Sequence, residues 1–299
     1  MAWNHLPMPL ASRAGALAPA GIGLTLFVVT VQLRMDDPWA DGVLFLTALL
    51  PALLLLALGL AAARGDDRSS AASTALLVSG LVVAGIAIAR LGQLLASGDY
   101  TGGDGTLTWM LALFTAVAAY CASRTRSAAC LLIAALATVG LVNEAVNWIF
   151  DTENMDTFRA LLAVSFAVLF LAGLAASGRT GTILVGAAGV SVVASSYVLG
   201  FAFVFSSEAP QLGWGWELVN LVEGLALAAY AAAELAPGPA YLAFFVLITF
   251  ALIAATGAGG VIIGTEGQEH SNSLVGWPLT LGIGTALAAA WGLRRPSSA

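Results

Sequence analysis

The chain has 299 residues, 60% of them hydrophobic and 9% charged, where a soluble domain carries about 25% charged residues. Such a chain cannot cover itself with polar surface, so lipid is its main solvent. It also lacks the basic patch with interleaved aromatics that nucleic-acid binding needs. The net charge of −6 hides an uneven distribution: all eleven basic residues are arginine, and most sit on one side of a series of apolar segments, with most acids on the other.

Taken in chain order, those segments predict ten membrane spans, each about 17–24 residues, enough to cross a hydrocarbon core of about 30 Å as a helix. They are Ala14–Leu33, Gly42–Ala63, Thr74–Leu95, Leu107–Ala122, Ala128–Phe150, Phe158–Ala176, Thr182–Phe205, Trp216–Ala236, Tyr241–Ile263 and Trp277–Leu293. The first reads as retained rather than cleaved, bent at Pro19. An even number of spans puts both termini on one side. Arg13, Arg64, Arg68, Arg124, Arg126, Arg179, Arg294 and Arg295 fall on that side, against Arg34, Arg90 and Arg159. By the positive-inside rule both termini are expected in the cytoplasm. The fold class expected is therefore all-α, a polytopic helical bundle forming a single transmembrane domain over 1–299. The absence of lysine with abundant Ala, Gly and Leu fits a GC-rich bacterial genome, so the cytoplasmic (inner) membrane is the expected location.

Two internal divisions are compatible with this spacing. One is a pair of inverted halves, 14–150 and 158–293, a common transporter plan. The other is tandem helical hairpins of about 57 residues, the length that two spans and two short connections require. Cys121 and Cys130 fall at cytoplasmic span ends and are expected as reduced packing thiols.

The few ionisable groups inside spans carry what functional signal there is, because such groups are costly in lipid and usually face protein or water. Arg90 lies about five or six residues below the outer end of its span, and Glu144 and Glu223 each about seven, so all three sit roughly 8–10 Å inside the boundary. Amides accompany them at helical spacing: Gln93 with Arg90, Asn143 and Asn147 with Glu144, and Asn220 with Glu223. Arg90 is expected within reach of Glu144 or Glu223. Two readings stay open. The layer is an outward-facing polar pocket for a small solute or a proton, or it is an internal ion pair that holds the bundle together. Small residues every four positions, Ala187, Ser191 and Ser195, and Ala251, Ala255 and Gly259, read as helix-packing faces. Arg34 and Arg159 are placed at the outer interface, snorkelling, meeting an anionic solute or pairing with Asp36, Asp37 or Asp156. His270 with Glu266 and Glu269 lacks a specific metal spacing, and no cofactor is expected.

Ten spans in about 300 residues with both ends inside resemble the drug/metabolite transporter superfamily in topology. The segments Pro237-Gly238-Pro239-Ala240-Tyr241-Leu242 and Leu274-Val275-Gly276-Trp277-Pro278-Leu279 resemble the last hairpin of multi-pass proteins of high-GC bacteria. Neither resemblance brings a functional residue. No H-E-x-x-H, G-x-S-x-G or P-loop occurs, so no enzyme is expected. The leading expectation is a carrier-like protein whose partners are membrane lipids and a small-molecule solute. The alternatives are a scaffold or accessory subunit, as a homo-oligomer or with a membrane partner, and an intramembrane enzyme.

Overall fold

A computed structural model describes residues 14–34, 41–63, 71–95, 105–150, 155–176, 178–205 and 214–256. Among them the chain is helical apart from short turns. Nine helices follow in order: α1 Ala14–Arg34, α2 Asp41–Ala63, α3 Ala71–Leu95, α4 Thr106–Thr125, α5 Ala128–Phe150, α6 Met155–Ala175, α7 Gly178–Phe205, α8 Trp214–Glu234 and α9 Pro237–Thr256. Five apolar segments are long enough to cross a membrane by length and composition: all of α2 to α5, and Asp156–Ala175 of α6. The protein is thus a helical chain with several apolar spans. The expected tenth span, the His270 loop and the stripe from Ala251 to Gly259 lie outside the residues whose side chains are described.

The chain divides into two compact units, Met1–Glu153 and Asn154–Ala299. In the first, α3 touches every other helix, and its closest partner is α2. Small residues explain that pairing. A Cβ on Gly59 of α2 would lie 3.1 Å from the backbone nitrogen of Leu77, and one on Gly80 of α3 would lie 3.0 Å from that of Leu56. Each leucine therefore covers the other helix's glycine, and the two backbones come as close as side chains permit. One face of α3, carrying Val83, Ala84 and Ala87, packs with Val28, Ala48, Ala52 and Leu55 of α1 and α2. Another face, Leu77 and Leu81, packs with Ala118, Cys121, Cys130 and Ala134 of α4 and α5. The two cysteines are free thiols buried in that cluster.

The hairpin from α4 to α5 turns through Arg126, at φ 53°, whose N–H bonds the Ala122 carbonyl at 2.9 Å. At its other end Gly105 adopts φ 74° and the Trp148 indole covers it, with a Cβ there only 2.7 Å from the ring. Both the left-handed backbone and the contact require glycine.

In the second unit α7 touches α6, α8 and α9. Phe166, Val185, Ala188, Val192, Leu227, Tyr230 and Val246 form its core. Ala187, Ser191 and Ser195 are buried along α7, as a packing face requires. Large apolar side chains point outward elsewhere. Val164, Val168, Leu171 and Leu174 form an exposed stripe on α6, and Leu46, Leu50, Leu53 and Leu54 are exposed on α2. Surfaces of this kind are stable against an apolar medium.

Candidate functional site

In the first unit the polar side chains gather at one end of the helices. Arg90 sits on α3 in line with Val83 and Ala87, so the face already packed on α1 and α2 decides where its guanidinium goes. Its Nε donates to the Gln32 side-chain oxygen of α1 at 2.6 Å, its Nη2 to the Gln32 backbone carbonyl at 3.3 Å, and its Nη1 to the Gln93 oxygen at 2.9 Å. Gln32 is itself buried, and its Nε2 donates to the Leu44 carbonyl at 3.0 Å and to Thr47 Oγ1 at 3.2 Å on α2. Thr47 Oγ1 donates on to the same Leu44 carbonyl at 2.8 Å. One carboxamide thus joins three helices, and all three nitrogens of the guanidinium are bonded.

This corrects the expectation of a direct ion pair between Arg90 and Glu144. Among the described residues no ion pair joins them. The physical reason is azimuth. Both residues lie near the same end of their helices, but Arg90 continues the stripe facing α1 and α2, whereas Glu144 is on α5, which packs chiefly against α4. A neutral carboxamide also satisfies the guanidinium without burying a second charge. Gln32 and Thr47 were not singled out from the sequence. Their signal was present, a lone amide inside an apolar span, but Gln32 lies beside Arg34-Met35-Asp36-Asp37 and reads as the end of the span.

Asn143 is buried on α5. Its Nδ2 returns to the Val139 carbonyl at 2.8 Å, while its Oδ1 has no partner. Leu111 lies nearest Gly140, and Gly105 lies on Trp148, so the register of α4 and α5 sets Thr108 level with residues 143 and 144. The buried Thr108 hydroxyl also lacks a partner. Glu144 and Asn147 are half-buried on the same turns of α5. This end of the α4–α5 hairpin therefore holds polar atoms whose hydrogen bonds are unmet among the described residues.

In the second unit Asn220 and Glu223 continue the face of α8 that carries Leu227 and Tyr230 further along, and both are buried. Glu223 is only 6% exposed, and no hydrogen bond or ion pair reaches it among the described residues. A Cβ on Gly224, beside it, would lie 2.6 Å from Leu247 and 3.1 Å from Val246 of α9, so only glycine lets these side chains sit there. The opposite end of the same face is satisfied: Tyr230 and Thr182 of α7 share a hydrogen bond of 3.4 Å.

Of the alternatives expected for Arg159, the pairing with Asp156 is the one seen; the residue is 4% exposed on the first turns of α6 rather than snorkelling. Its Nη1 donates to Asp156 Oδ1 at 3.0 Å. Its Nε and Nη2 are buried without a partner. Among the described residues no group of three His, Cys, Asp or Glu side chains converges on a metal position. No protein family, curated protein or solved structure matches the chain.

Proposed function

We propose that this is a ten-span protein of the bacterial cytoplasmic membrane, with both termini inside, that handles a small solute or lipid in the manner of a carrier. Its binding groups are the polar side chains near the outer helix ends: Asn143, Glu144 and Asn147 in the first unit, Asn220 and Glu223 in the second. Arg90, braced by Gln93 on its own helix, serves this reading with Gln32 as the clamp that fixes α1 and α2 on α3. The observation that carries the proposal is Glu223, a buried carboxylate with no donor or cation among the described residues. An ionisable group inside a membrane span is costly and usually faces protein or water. A purely structural helix gains nothing by keeping one, whereas a binding helix needs a group whose partner can exchange. The unmet Oδ1 of Asn143 and hydroxyl of Thr108 point the same way.

The test needs no knowledge of the solute. In a background with Cys121 and Cys130 replaced by Ala, single cysteines are placed at Asn143, Asn220 and Leu227. An impermeant thiol reagent applied from outside should label positions 143 and 220 and spare 227, which lies in the apolar core. If neither position is labelled, the carrier reading falls. That result would leave the scaffold reading, which the fully bonded Arg90–Gln32 clamp favours. The proposal contains no catalytic step.

A further inference from the structure

We infer that Arg159 is an oxyanion-binding residue, and that its ligand is a phosphate-type group held by the free edge of the guanidinium. A guanidinium has two bidentate edges. One is formed by the two terminal nitrogens, and the other by Nε with Nη2, which lies on the side away from Cδ. Asp156 takes only Nη1, at 3.0 Å. The edge left open is therefore Nε with Nη2, two parallel N–H donors spaced for two oxygens of one phosphate or carboxylate. Both are buried and neither has a partner.

Three features make this more than an incomplete ion pair. The residue is 4% exposed while Asp156 is 62% exposed, so the ion pair reaches the protein surface while Nε and Nη2 are enclosed. Pairing with Asp156 at i−3 fixes the plane of the guanidinium, which lowers the entropy lost when an anion docks on the other edge. Arg159 also belongs to the first turns of a helix of 21 residues, whose unpaired backbone N–H groups add positive potential at that end. A buried cationic fork left empty is costly, and a double-oxygen acceptor satisfies it in one step. The same chemistry is offered by a free phosphate ion and by the phosphate of a lipid headgroup. The site does not depend on the carrier reading, since none of its residues belongs to the polar groups assigned there.

The test uses the full chain, purified in detergent and stripped of lipid. Binding of radiolabelled inorganic phosphate and of a short-chain phosphatidylglycerol is measured, with a short-chain diacylglycerol as the uncharged control. At least one phosphate probe should bind saturably, and the control should not. Phosphate binding alone identifies a free anion, and phosphatidylglycerol binding alone identifies a headgroup. Arg159→Lys keeps the charge but loses the fork, and should weaken binding at least tenfold. Asp156→Asn, at an exposed position, keeps an oxygen that accepts from Nη1 and so the orientation, but removes a competing negative charge, and should tighten binding several-fold. No saturable binding of either probe overturns the proposal, as does equal affinity in a folded Arg159→Lys protein. Should that variant fail to fold, unchanged affinity in Asp156→Asn overturns it instead.

Discussion

Gln32 shows how a single neutral side chain can decide the role of a charged one. Its side-chain and backbone oxygens accept from Arg90 and its nitrogen donates to α2, so it draws two of the three guanidinium nitrogens toward α1. Arg90→Ala should destabilise the protein by about 1–3 kcal/mol, the range for hydrogen bonds to charged groups, moderated by the smaller values measured between membrane helices. Gln32→Leu should cost a similar amount, because it strands the guanidinium. The double variant should cost less than the sum of the two, with a coupling of about 1 kcal/mol or more. Unfolding in mixed micelles followed by tryptophan fluorescence measures all three, and strict additivity would show the clamp to be idle. The depth of Arg90 was legible in the sequence, because depth follows from counting residues to the end of an apolar run. Its direction was not. Direction depends on which face of α3 packs where, and a helix whose faces are all apolar carries no mark of that.

At the scale of elements, the paired glycines of α2 and α3 set the tightest seam in the first unit. Gly59→Val and Gly80→Val should each cost about 1–3 kcal/mol through overpacking. Gly23→Val, where a Cβ meets nothing within 4 Å, should change stability little in the same unfolding assay. Helix positions were largely readable from hydropathy; the fifth span, Ala128–Phe150, coincides with α5. Starts were read late where a helix begins in polar residues. α7 starts at Gly178 rather than Thr182, and α6 at Met155 rather than Phe158. Hydropathy reports the stretch suited to lipid, while backbone hydrogen bonding continues through polar turns without regard to side-chain polarity.

For the molecule as a whole, the arginine distribution makes a prediction that geometry alone does not. In the background lacking Cys121 and Cys130, a cysteine at Ser273 should react with an impermeant reagent from outside. One at Ser123, exposed beside the α4–α5 turn, should react only after the membrane is opened. The reverse pattern would invert the proposed orientation. The boundary between the two units falls in the polar connection 151–157, a composition change visible in the chain. Which buried polar groups lack a hydrogen-bond partner among the described residues was less visible. Arg159 read as an interface residue because the sequence placed it at the end of a span, and only burial reveals that its guanidinium is enclosed.

The Arg90–Gln32 clamp also bears on how the protein is made. Its two residues are separated by 58 positions. At about 5–20 residues per second, the ribosome reaches Arg90 roughly 3–12 s after Gln32. The bonds from Gln32 to α2 span only 12 and 15 positions, so the first hairpin can close early while its glutamine oxygen stays open. The hydrogen bonds that hold α1 are thus completed by a residue translated seconds after it. A defect at Arg90 should accordingly surface during biogenesis as an α1 that inserts but fails to hold its place.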